Sequence, residues 1–242
     1  MNKIIYYSVL LLFILAGGGA CGTKRASSGE NYISYEVDLE KQDLELYWKD
    51  DNGQPFRSIG RLKAWLEGKG QTLVFAMNAG MYKRGNTPQG LLIQDFQQLV
   101  PLDTASGRGN FYLKPNGVFY TTREKKAFIV TTENFRSDSD IQLATQSGPV
   151  LLARGRIHPA FTKGSKNGNI RNGVGILPNG KVLFAMSVEE VNLYDFATYF
   201  RDRGCREALY LDGLVSRTYL PEKQWMQTDG DFGAIIAVTA GK

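Results

Sequence analysis

From Asn31 onward the chain is patterned in short apolar–polar runs. Tyr32-Ile33-Ser34-Tyr35-Glu36-Val37 and Leu44-Glu45-Leu46-Tyr47-Trp48 alternate with the two-residue period of half-buried strands. Residues 72–76, 90–94, 117–121, 127–132, 141–145, 173–177, 182–187, 208–211 and 234–239 are further strand candidates. Pro-Asn-Gly occurs at Pro115-Asn116-Gly117 and again at Pro178-Asn179-Gly180, each time between apolar runs. Asn-Gly tolerates the positive φ angles of a tight turn, so both are expected to close hairpins.

Two segments carry a helical period instead. Ser58 can cap a helix in which Ile59, Leu62, Trp65 and Leu66 share a face, ended by Gly68 and Gly70. Asn192 can cap a second, with Leu193, Phe196, Ala197 and Phe200 on one stripe. Its first turn holds Asp195, its last turn Arg201 and Arg203, and Gly204 follows, as the helix dipole and a C-cap favour. Many short strands with two main amphipathic helices predict an α+β fold, mainly antiparallel, in a single domain. Its buried set should include Leu73, Phe75, Val174, Ile176, Phe184, Phe196, Phe200, Leu209, Leu211 and Ile236.

The N-terminus follows a different pattern. Lys3 precedes an apolar run over 4–15, then Ala16, three glycines, Ala20 and Cys21. The run is shorter than the roughly 20 residues that span a bilayer, and suits a signal-peptide core. Small residues before a cysteine resemble a bacterial lipobox, although Gly18 stands where leucine is preferred; ordinary cleavage near Ala20 is the alternative. The expected organisation is a signal peptide over 1–20, a polar tether over 21–30 and one domain over 31–242. The protein is then exported to the cell envelope, touching the membrane only through a lipid on Cys21. Cys205 would have no partner and would be a buried apolar residue.

Composition removes several function classes. The 242 residues contain two cysteines and a single histidine, His158, which excludes a Cys-rich zinc module and a multi-His metal site within one chain; no metal or other cofactor is expected. The 29 basic and 24 acidic residues are interspersed, so no nucleic-acid tail stands out. The sequence has no P-loop and no Gly-x-Ser-x-Gly elbow, and Gly173-Val174-Gly175 lacks the context of a dinucleotide fingerprint.

Five polar spots remain, in or beside glycine-rich turns. They are Asn78-Ala79-Gly80, Gln146-Ser147-Gly148-Pro149, Arg171-Asn172-Gly173, Asp212-Gly213 with Ser216 four residues on, and His158. Singly, each is an ordinary turn composition or a surface group. Together they make a hydrogen-bonding set suited to a sugar or a phosphate, with arginine as the natural phosphate clamp. Glu189 and Glu190 offer a second carboxylate, or simply a solvated helix entry.

Asn78-Ala79-Gly80-Met81-Tyr82, Thr87-Pro88-Gln89-Gly90-Leu91, Gln146-Ser147-Gly148-Pro149, Arg171-Asn172-Gly173-Val174-Gly175 and Ala208-Leu209-Tyr210-Leu211-Asp212-Gly213 occur in the order found in the phosphodiester glycosidase family, which the chain resembles from about Phe75 onward. That family includes a lysosomal N-acetylglucosamine-1-phosphodiester α-N-acetylglucosaminidase and bacterial exported proteins. One branch has a glycine-rich Asp-Gly-Gly-Gly-Ser ending where this chain reads Asp212-Gly213-Leu214-Val215-Ser216, a departure that bears on the sugar more than on the reaction class. The resemblance implies hydrolysis of a sugar–phosphodiester at the anomeric carbon. Asp212 would answer the positive charge on the sugar, as nucleophile, base or stabiliser, and Arg171 the negative charge on the phosphate. Asn78, Gln146, Ser147, His158, Asn172 and Ser216 would hold sugar hydroxyls or phosphate oxygens. Asn78, Gln146, Arg171 and Asp212 are expected to line one cleft, with His158 and Ser216 at its rim. The competing reading is a non-catalytic envelope protein that binds glycans or phosphoglycans.

Overall fold

The computed structural model describes residues 31–241; the expected signal segment 1–20, Cys21 and the tether 21–30 lie outside the described residues. Within them the fold is α+β, with two α-helices and antiparallel sheets, as the patterning predicts. Three sheets carry it. The first has six strands in the spatial order Tyr32–Val37, Val182–Ser187, Asn172–Ile176, Ala208–Tyr210, Val150–Ala153 and Arg156–Ile157. The second orders Gln97–Val100, Leu92–Gln94, Ile141–Ser147, Gly117–Thr122 and Ala127–Thr131. The third orders Trp225–Met226, Thr218–Leu220, Gln71–Asn78, Ile235–Gly241 and Leu44–Tyr47. A small hairpin, Tyr82–Lys83 with Thr87–Pro88, stands apart.

Each sheet turns one face to a shared core. Tyr35, Val174 and Phe184 come from the first sheet, Phe119 and Leu143 from the second, and Phe75, Met77 and Ile236 from the third. Helix α1 (Ile59–Gly68) covers the far side of the third sheet, setting Leu62 and Leu66 against Ala76, Ile235 and Ala237. Helix α2 (Leu193–Asp202) covers the far side of the first, setting Phe196 and Phe200 against Leu183, Ala185 and Tyr210. Strand Val182–Ser187 is therefore buried on both faces, which is why it reads as a continuous apolar run. The third sheet contains one irregularity: Val238 pairs with Phe75 but Thr239 with Leu73, so Val74 bulges and Leu73 turns toward α1 with Ala76.

Both helix caps match the sequence reading. The Ser58 hydroxyl accepts the Arg61 N–H at 3.3 Å, and the Asn192 side-chain oxygen accepts the Asp195 N–H at 2.9 Å. Arg203 is the C-cap of α2 rather than part of its last turn, and Gly204 follows with φ 87°. Pro178-Asn179-Gly180 does close a hairpin, between Asn172–Ile176 and Val182–Ser187, but only Gly180 takes a positive φ, 82°. Pro115-Asn116-Gly117 does not: a short 3₁₀ turn at Asn110–Tyr112 precedes it, so the bend leads into a strand instead of joining two. The predicted core residues are buried except Ile176, which is only half-buried near the end of its strand. Cys205 is buried beside Phe200, and burial pushes its thiol up to about 12.

Candidate active site

The ends of strands from all three sheets meet at one place. Gln71–Asn78 brings Asn78, Ile141–Ser147 brings Ser147, and Asn172–Ile176 starts at Asn172, while the chain leaves Ala208–Tyr210 through Leu211 into Asp212. Each polar side chain there takes hold of the backbone around Asp212. The Asn172 oxygen accepts the Asp212 N–H at 2.9 Å, and the Asn78 amide donates to the Asp212 carbonyl at 3.0 Å. Ser147 donates to the Leu211 carbonyl at 2.6 Å. The Ser216 hydroxyl lies 3.1 Å from the Asp212 carbonyl and 3.0 Å from that of Gly213. Asn172 and Asn78 are joined directly at 3.1 Å, and Asn78 also accepts the Arg217 N–H at 2.9 Å. All four side chains are buried. They form a clamp that fixes the loop and leaves the Asp212 carboxyl at its tip.

That carboxyl belongs to a half-buried residue. Burial pushes it up to about 6 from its ordinary 3.8, against the opposing hydrogen bond from the Leu214 N–H. It opens into a cleft of about 600 Å³ whose lining includes Arg57, Tyr82, Lys83, Arg84, Leu214 and Asp231. Asp231 is shifted the opposite way: its bonds to Arg57 at 2.9 Å and Asn86 at 2.8 Å hold its carboxyl below the usual range. The Tyr82 hydroxyl donates to the Asp231 backbone carbonyl, and its pKa is raised first by burial and then by the charges of both carboxylates.

Of the residues expected to converge on one cleft, Asp212 alone lines it. Arg171 is buried, and its guanidinium donates to the Val191 carbonyl at 2.7 Å, the Asn167 carbonyl at 2.9 Å and the Tyr210 hydroxyl at 3.2 Å. It reaches the Asp212 loop indirectly, because the Gly213 backbone also hydrogen-bonds the Tyr210 hydroxyl. A Cβ on Gly213 would collide with that hydroxyl, so the position requires glycine. Gln146 points away from the Asp212 loop. Its oxygen accepts the N–H groups of Leu91 at 3.0 Å and Asp103 at 2.9 Å, and its amide donates to the Asp103 carbonyl at 2.7 Å. His158 is pinned on both ring nitrogens, Nδ1 accepting from the Ala160 N–H at 3.1 Å and Nε2 donating to the Lys114 carbonyl at 3.0 Å. Burial lowers its pKa, against the opposing hydrogen bond to the Lys114 carbonyl, and so disfavours the charged ring. Glu189 and Glu190 are exposed and lie outside the cleft lining.

Sequence reasoning passed over Arg57, Lys83, Arg84 and Asp231. Charged residues in polar turns carry no signal of their own, and Arg57 meets Asp231 only across 174 positions of sequence. The turn composition Arg84-Gly85-Asn86 was the local hint of a structured hairpin there.

The same architecture is found in solved structures. The catalytic domain of zebrafish N-acetylglucosamine-1-phosphodiester alpha-N-acetylglucosaminidase, auto-inhibited by its pro-peptide, superposes with a TM-score of 0.60 over 88% of this chain and 86% of that one, at 13% identity. A Burkholderia pseudomallei protein described as exported gives 0.55 over 86% of this chain and 73% of that one, at 9% identity. At such identities the likeness is one of fold. Sequence carries it further: the phosphodiester glycosidase family model matches residues 71–237, and the chain belongs to that family. It is also 38% identical over 188 residues to the Escherichia coli K12 protein "Uncharacterized protein YigE", covering 77% of this chain and 73% of that one.

Proposed function

We propose that this protein is an exported hydrolase that cleaves a sugar-1-phosphodiester at the anomeric carbon, releasing the sugar and a phosphomonoester. Family membership supports the reaction class. The apolar run ahead of Cys21 supports export, with a lipid on Cys21 holding the domain at a bacterial cell envelope. The observation that carries the reading is a half-buried carboxylate opening into a cleft with cations on its wall: Asp212 with Arg57, Lys83 and Arg84.

The chemistry follows from where charge develops. As the bond between the anomeric carbon and the phosphate oxygen lengthens, positive charge builds on the sugar and negative charge on the phosphate. Ionised Asp212 offsets the first. Its raised pKa also makes it a stronger base than an ordinary carboxylate, able to take the proton of the attacking water. The cations offset the second charge. A departing phosphate carries its electron pair stably, so no strong general acid is required. The clamp of Asn78, Ser147, Asn172 and Ser216 keeps the carboxylate oriented.

Product analysis on a panel of sugar-1-phosphodiesters tests this. Wild type should release free sugar, and Asp212→Asn should lower kcat at least about a hundredfold. The wild-type kcat should rise with pH through an apparent pKa near 6, where Asp212 ionises. Binding of sugar phosphates with no product under any condition would replace the enzyme by a glycan-binding protein.

A further inference from the structure

The cations near Asp212 differ in what already engages them. Arg57 is bonded to Asp231 at 2.9 Å, and buried Arg171 is committed to three neutral oxygens outside the cleft. Lys83 and Arg84 both line the cleft and are exposed, and no described residue gives either of them an ion pair or a hydrogen-bonded side-chain partner.

The turn that presents them is anchored. The buried Asn86 donates to Asp231 at 2.8 Å and to the Phe232 carbonyl at 3.1 Å, and its own carbonyl accepts the Trp48 indole N–H at 2.8 Å. Gly85 and Asn86 both take left-handed backbone, φ 75° and 56°, which turns the chain tightly between Lys83 and its partner Thr87. Two adjacent cations are thus carried on a fixed backbone turn, where an anion would relieve their mutual repulsion without the cost of ordering the loop.

We propose that Lys83 and Arg84 form the anion subsite of this cleft and take the phosphate side of the substrate while Asp212 faces the sugar. The assignment rests on the sugar-phosphodiester reading, but phosphate recognition can be measured apart from it.

Inorganic phosphate titrated into the wild-type protein, followed by NMR chemical shifts, should move resonances of the Tyr82–Pro88 hairpin. Lys83→Gln/Arg84→Gln should weaken phosphate binding by about tenfold or more, as expected for losing charge-assisted hydrogen bonds. Lys125→Gln/Lys126→Gln removes the same charge from a cleft that does not contain Asp212, and should leave the affinity unchanged. On a sugar-1-phosphodiester, the first double variant should raise KM and flatten its dependence on salt. Wild type that cleaves phosphodiesters while the Lys83/Arg84 variant keeps its KM and phosphate affinity would overturn the subsite and leave the reaction standing. Wild type that cleaves none, yet loses phosphate binding in that variant, would overturn the reaction and support the subsite. Failure of wild type to bind phosphate at all would overturn the subsite.

Discussion

Asn172 accepts the backbone N–H of Asp212 at 2.9 Å while its own amide group donates to Asn78, at 3.0 Å to the carbonyl and 3.1 Å to the side-chain oxygen. One fully buried side chain therefore ties a strand of the first sheet, the end of a strand of the third and the Asp212 loop together. Asn172→Ala would leave buried donors and acceptors unpaired on both sides and should cost about 2–4 kcal/mol. Asn172→Asp keeps the acceptor for Asp212 but sets a carboxylate against two Asn78 oxygens, so it should be at least as damaging. Urea denaturation measures the loss. A stability change under about 0.5 kcal/mol for both would mean that the clamp is not what fixes the loop.

Asp212 lowers the stability of the folded protein once ionised. The unfolded chain releases this proton near the ordinary 3.8, whereas the folded protein holds it to about 6. The unfolded state therefore binds fewer protons between those values, and stability falls as pH rises from about 4 to about 6. Asp212→Asn removes the effect. Relative to wild type it should be more stable by about 2–3 kcal/mol at pH 7.5 and about equal in stability at pH 4. Thermal melts of both proteins at the two pH values check this; equal Tm at pH 7.5 would refute it.

Much of the architecture was legible because it depends on local pattern. Alternation located Tyr32–Val37 and Leu44–Tyr47, short apolar runs located the longer strands, and the Ser58 and Asn192 caps marked both helices. The short strands Thr218–Leu220 and Trp225–Met226 are missing from that reading because, unlike the three-residue strand in the apolar run 208–211, they sit among polar residues and carry no measurable period. Pro115-Asn116-Gly117 misled because turn residues reveal a bend without revealing what it joins. At the site, the sequence marked the polar residues at the strand ends but not how each is used. Whether an amide meets a substrate or a backbone carbonyl depends on strands distant in sequence, as when Asn78 reaches Asp212 across 134 positions.

The Tyr210 hydroxyl joins the Arg171 guanidinium to the Gly213 backbone. Tyr210→Phe should pack with little change in volume yet leave two buried donors unpaired, costing about 2–4 kcal/mol. The Asp212 loop should loosen with it, so kcat should fall while KM changes less. Arg171→Lys should also destabilise, because one ammonium cannot reach three oxygens that a planar guanidinium spans. If Arg171 met the phosphate directly, the outcome would differ: Arg171→Lys would raise KM with stability unchanged. Kinetics and denaturation of the two variants separate these cases.

Leu214 is 86% exposed although it lies two residues past Asp212 on the cleft wall. An apolar side chain so open contributes little to folding, so Leu214→Ala should change stability by less than about 0.5 kcal/mol. Substrate is a different matter, because Leu214 shares the wall with Met81 and Val215 and can be covered by a bound molecule. Burying a leucine side chain is worth about 1.5–3 kcal/mol, which is about tenfold or more in affinity. On sugar-1-phosphodiesters carrying large apolar groups, Leu214→Ala should therefore raise KM by about that factor with kcat nearly unchanged, the signature of lost uniform binding. On substrates carrying a methyl group in place of the large one, the effect should shrink toward none. An equal effect on both would assign Leu214 to the sugar side of the cleft, and no effect on either would leave it outside the bound complex.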